Sequence, residues 1–261
     1  MFIEAMDNWD EAKADVAVAA LARSASSEDV YELFYRYGAR DFRSIGHKAI
    51  FVANSRRTLE CIGWQHAEPV LRSLAYALLN YDGENPATHD TEPDRPWREN
   101  IELANSIPDN WLDGAVDDAA TREMLANLRT ADTGAACNHA VEMLGRGISP
   151  QSLWDAVFNG AAELVARSPG IVSLHAVTSA NALYHAYNTS SNDNTRRMLL
   201  LQAVAFVPLF RDAGKSRGSR FADNYIDEFE PADIAADPRE AVEDIFATLS
   251  DDETLAPRKT L

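Results

Sequence analysis

The sequence predicts an all-α protein built as a single large multi-helix bundle domain. Apolar residues return every three or four positions in segment after segment. Alternating β-branched runs of the kind that form strands are almost absent. Recognisable caps mark several of the resulting boundaries.

Taken in order, the period predicts helices over Trp9 to Ser24, Ser27 to Gly38, Ile45 to Gly63 and Glu68 to Tyr81. Ser26, with Asp29 three residues on, forms a capping-box-like start for the second, and Pro69 marks the first turn of the fourth. Helices follow over Arg98 to Ser106, Asp117 to Thr130 and Gly134 to Arg146. Ser149 then supplies a capping hydroxyl before Pro150, at the first position of a helix to Arg167, with Gly147 and Gly170 in the flanking turns. Ile171 to Tyr187 and Asn194 to Phe210 come next. The uncharged run Met198 to Phe210 is too short for a membrane span and suits a buried core helix. A last helix covers Pro238 to Leu249 in acidic, proline-punctuated text. The expected organisation is therefore a helical domain over 1–222 and an acidic, peripheral helix and tail over 223–261.

Two stretches read as loops. Residues 82–97, DGENPATHDTEPDRPW, are rich in proline and acid and long enough for a lid or a partner contact. GKSRGSR, from Gly214 to Arg220, gathers basic residues among glycines but lacks the spacing of a phosphate-binding loop.

Forty-one acidic against twenty-four basic residues give a formal charge of −17, a field that repels nucleic-acid backbones and anionic lipid surfaces. The N-terminal text has acids where an export signal needs basic residues. Cys61 and Cys137 cannot make a disulfide framework, which fits a reducing, cytoplasmic setting. No G-x-S-x-G elbow, H-E-x-x-H, dinucleotide fingerprint or P-loop occurs.

Chemistry points instead to histidine. Five of the six, His47, His66, His139, His175 and His185, lie in apolar helical text, while His89 lies in the acidic loop. A bundle builds a metal site by projecting one or two side chains inward from each of several helices, and this dispersed pattern is what that geometry needs. His47, His66, His139 and His175 are the candidate ligands. Glu142, three residues after His139, shares its face and could ligate or orient it. His185 lies ten residues after His175, about 80° around an ideal helix, and is placed either behind the ligands, supporting them, or facing substrate. Thr178, one turn beyond His175, could hydrogen-bond a ligand or an oxygen species; the plainer role is a bond to a helix carbonyl. Lys48 and Lys215, two of four lysines, could ligate only after losing their charge. Imidazole donors with an oxygen suit iron, with zinc as the alternative, and an open position would admit dioxygen or water.

The segments GHKAIFVANS, WQHAEPVLRSLAYALL and SLHAVTSANALYHAY resemble those of questin oxidase-like proteins, over residues 40–80 and 134–212. That resemblance implies a helical non-haem iron oxygenase that oxidises an aromatic or apolar small molecule with dioxygen, with His47, His66, His139 and His175 at the matching positions. The competing classes are a non-catalytic helical interaction module with core histidines, and a zinc hydrolase on the same scaffold.

Overall fold

The computed structural model describes residues 1–252 and 255–260. Among them are thirteen α-helices and five short 3-10 turns, with no strand and one isolated bridge, Ala115 to Ile148. The all-α expectation holds. No helix among the described residues is long and apolar enough to cross a membrane.

The chain divides into two compact units, Met1–Phe221 and Ala222–Leu261. The first begins with α1 (Phe2–Asp7), a helix not expected from the sequence, then α2 (Glu11–Ser24), α3 (Ser27–Gly38), α4 (Arg43–Ile62) and α5 (Ala67–Leu79). It continues through α6 (Arg95–Leu103), α7 (Asp118–Thr130), α8 (Thr133–Gly145), α9 (Pro150–Arg167), α10 (Ile171–Thr189) and α11 (Asp193–Ser216). Caps sit where the sequence places them. Ser26 accepts from the Asp29 amide and Ser149 from the Gln151 amide, each satisfying a donor that the first helical turn leaves without a partner.

Helix α11 is the axis of this unit. Its Met198–Phe210 run is apolar on nearly every face, so it can be stable only when surrounded, and α3, α6, α8, α9 and α10 pack around it. Helix α10 lies between α11, α9 and α4. The α4–α10 seam is thus a contact between two long helices whose outer edges reach solvent.

Three local departures have physical causes. Pro96 is accepted in the first turn of α6, where its missing N–H costs nothing, so that helix starts at Arg95 and shortens the acidic loop. Helix α11 runs on to Ser216 before Gly218, at φ 81°, ends the turn. The start of α4 is irregular, as described below.

The second unit holds a 3-10 turn (Ile226–Glu228), α12 (Pro238–Asp251), capped by the Asp237 carboxylate, and α13 (Leu255–Thr260). Lys259 ties α13 to α12 through Asp244 at 2.8 Å and Thr248 at 2.9 Å. Residues 253, 254 and 261 of the expected tail lie outside the described residues.

Candidate functional site

The chain enters α4 through a left-handed turn. Ser44, Ile45 and Gly46 have φ of 53°, 50° and 74°, and regular helix begins at His47. For β-branched Ile45 this conformation is strained, at a cost of about 1–2 kcal/mol. At Gly46 a Cβ would stand 2.5 Å from Ser179 Oγ and 3.1 Å from Phe210 Cζ. The absence of a side chain there lets α4 approach α10.

A buried charge network holds this turn. Asp41, fully buried, accepts from the Arg43 amide at 2.9 Å on one oxygen and from Lys48 Nζ at 2.9 Å on the other, spanning the strained residues. Lys48 also donates to the carbonyls of Leu78 (2.8 Å) and Asn80 (2.9 Å). Burial pulls its ammonium down to about 8, against the opposing charge of Asp41. Arg43 pairs with Asp94 of the acidic loop, and Arg40 stacks over Trp9 at 3.8 Å. Asp94 is held below the usual carboxylate range by its bonds from Arg43 and Thr91, which outweigh burial.

The turn delivers His47 to the seam, where it meets His175 of α10. Their Nε2 atoms are 2.9 Å apart and their ring centroids 4.3 Å apart. The centroids are closer than a head-on approach at that nitrogen separation would leave them, so the two Nε2 directions are inclined rather than collinear. Each Nδ1 contacts a backbone carbonyl of its own helix: His47 that of Ser44, and His175 that of Ile171 at 2.5 Å. A carbonyl only accepts, so each Nδ1 must carry the proton. In the neutral rings both Nε2 atoms are therefore bare acceptors that face one another. Such a pair needs an electrophile, either a proton or a metal cation.

Along the seam from the pair runs a partly open groove of about 300 Å³, with Ile50 and Asn54 on α4 and Thr178 and Asn181 on α10. These follow the histidines by one and two helical turns. Arg57 closes the far end with a 3.0 Å bond to Asn181. The Phe51 ring lies 5.7 Å from that of His47, and Phe51, Ile171 and Leu174 are exposed nearby.

The structure brings together two of the four expected ligands. His66 is exposed in the 3-10 turn before α5. On α8, His139 Nε2 faces Glu123 at 3.1 Å and its Nδ1 faces Glu142 at 3.7 Å, so Glu142 does share its face but within a surface charge cluster with Arg146. Among the described residues no three histidine, cysteine or carboxylate side chains gather as a metal-binding group. Thr178 Oγ1 donates to the carbonyls of Leu174 and His175, both at 3.3 Å, while also lining the groove. His185 lies farther along α10 near Arg56 and Arg57 of α4: its Nε2 is buried without a hydrogen-bond partner, and burial, then Arg57 and Arg56, lower its pKa. His89 stays in the exposed loop beside Glu84 at 3.5 Å. Lys215 is exposed near Asp212 at 3.6 Å. Cys137 is buried, its thiol raised to about 12, which removes it as a nucleophile.

Sequence reasoning passed over Asp41, Arg43, Gly46 and Asp94, which build the turn. The available signal was the cluster Arg40, Arg43 and Lys48 in an otherwise acidic chain. No protein-family model, curated protein or solved structure matches this chain.

Proposed function

We propose that His47 and His175 hold one transition-metal ion, iron before zinc, and that the chain is a metal-dependent oxidoreductase acting on a small apolar or aromatic molecule in the α4–α10 groove. The observation that carries this reading is the facing of two Nε2 atoms at 2.9 Å with both Nδ1 atoms against backbone carbonyls.

Geometry separates the candidate electrophiles. A shared proton favours a nearly straight N–H···N arrangement, whereas an ion would sit off the nitrogen–nitrogen line, which suits the inclined rings. Metal–nitrogen bonds of about 2.1 Å at about 90°, adjacent positions of an octahedral ion, set the nitrogens about 3.0 Å apart. Tetrahedral angles set them about 3.4 Å apart. The 2.9 Å separation is short enough for both nitrogens to reach one ion, and imidazole donors suit iron or zinc.

An ion held by the two histidines would supply Lewis-acid and redox chemistry when bound. The chain's own residues shape the surroundings. Phe51, Ile171 and Leu174 offer apolar surface, and Thr178, Asn54 and Asn181 offer polar groups along the groove.

The test is a titration of chelator-treated protein with ferrous iron under nitrogen, and separately with zinc, read by bound metal per chain and thermal midpoint. The expected result is about one equivalent with a raised midpoint, and oxygen consumption with aromatic substrates only for the iron form. Folded protein that takes up neither ion and gains no stability from them overturns the metal site; metal uptake with hydrolysis but no oxygen consumption overturns the oxidoreductase assignment.

A further inference from the structure

A separate cavity of about 150 Å³ lies where α3, α6, the turn Ala104–Ser106 and the first turns of α11 meet. Arg36, Trp97, Asn105, Asn194, Thr195 and Met198 line it, and it is partly open to solvent. No carboxylate lines it, in a chain with 41 acidic residues.

Two acids beside lining residues are engaged elsewhere. Glu32, one turn before Arg36, accepts from Ser190 Oγ at 2.9 Å. Asp193, beside Asn194, accepts from Trp111 Nε1 at 2.9 Å and from Arg197 Nε at 2.6 Å. Arg36 itself makes no ion pair or hydrogen bond with the described residues, and meets only the Tyr37 ring, at 5.9 Å from the centroid. Trp97 is largely buried, and its indole N–H, which reaches solvent, makes no hydrogen bond with the described residues.

The cavity thus combines a solvent-exposed guanidinium that no protein carboxylate pairs and side-chain amides with an aromatic and a thioether surface. A guanidinium with no protein carboxylate beside it favours an anion and matches the planar fork of a carboxylate. The positive end of the α11 dipole acts in the same direction. Its volume of about 150 Å³ is on the scale of one benzene ring. We propose that this cavity binds a small aromatic monocarboxylate, its carboxylate on Arg36 and its ring against Trp97 and Met198. The site stands independently of the histidine pair.

The test is calorimetric titration of the full chain with benzoate, neutral benzamide and cationic benzamidinium. Benzoate should bind tightest and benzamidinium weakest. Arg36→Gln, at an exposed position, should weaken benzoate at least about tenfold and benzamide less than about twofold. Asn194→Trp, which plugs the mouth from another exposed position, should abolish both. Unchanged benzoate binding in Arg36→Gln, no benzoate binding at about 10 mM, or acetate binding as tightly as benzoate would each overturn the proposal.

Discussion

The imidazoles of His47 and His175 meet Nε2 to Nε2 at 2.9 Å, each with its other nitrogen turned back to a carbonyl of its own helix. Neither ring can relieve the contact by changing tautomer without losing its carbonyl bond. The pair is therefore poised for a third body.

Replacing either histidine by alanine should lower metal affinity at least about 100-fold, since even groups that only orient ligands account for 10–100-fold. The double variant should be little worse than either single one, because two ligands of one ion act as a unit. His66→Ala, His139→Ala and His89→Ala should keep full metal, because their rings lie outside the pair. Metal content measured on folded protein decides this, and loss of metal in His66→Ala or His139→Ala would restore the four-histidine site expected from the sequence.

Gly46→Ala should destabilise the protein by about 2–3 kcal/mol, since the φ of 74° disfavours any side chain and the new Cβ would meet Ser179 Oγ at 2.5 Å. Adding Ser179→Ala should recover only part of this, because Phe210 and the backbone conformation are unchanged. Denaturant unfolding measures both variants. A neutral Gly46→Ala would mean that α4 and α10 are less tightly apposed than the seam requires.

Helices were legible because their signal is local and repeated: Ser27–Gly38 and Pro150–Arg167 carry both the apolar period and a capping side chain. The pairing of His47 with His175 was legible only as membership of a larger set. Spacing within a helix gives the face of a residue but not which helix that face will meet, so His66 and His139 carried the same apolar-text signal as the two that converge. The Ser44–Gly46 turn was hidden for another reason: Ser-Ile-Gly has no intrinsic preference for successive left-handed residues, and its conformation is imposed by Asp41, Lys48 and the close approach of α10. Helix α1 lacked a side-chain cap, and at six residues it offers too short a period to read.

His185 should make stability depend on pH. Its folded pKa lies below 6.5, chiefly through burial, so below about pH 6.5 the unfolded chain takes up a proton that the folded chain resists. The stability this ring contributes is complete above 6.5 and is lost as pH falls toward the folded value. Wild-type denaturation midpoints should therefore drop from pH 7.5 to 5.5 more steeply than those of His185→Leu, which cannot charge. Equal slopes would show that the ring protonates freely in the fold.

Asp41 and Lys48 should prove mutually dependent. Each is buried, and Lys48 is the side chain that closes the Asp41 bridge across the strained turn. Lys48→Met removes the cation while leaving Asp41 with Arg43 at 3.3 Å and Arg40 at 4.0 Å, so part of its compensation persists. Breaking one side of a buried pair typically costs about 3–5 kcal/mol, and the remaining arginines place this variant at the lower end of that range. Asp41→Asn costs more by the same reasoning, because it leaves Lys48, Arg40 and Arg43 crowded around Trp9 with Asp94 as the remaining anion. The double variant should cost less than the two single losses added together, with a coupling of about 1–3 kcal/mol. A second measurement separates stability from site geometry: since the bridge sets the turn that delivers His47, Lys48→Met that remains folded should bind iron more weakly than wild type. Additive stabilities together with unchanged iron affinity would show that the turn is held by the α10 contact at Gly46 alone.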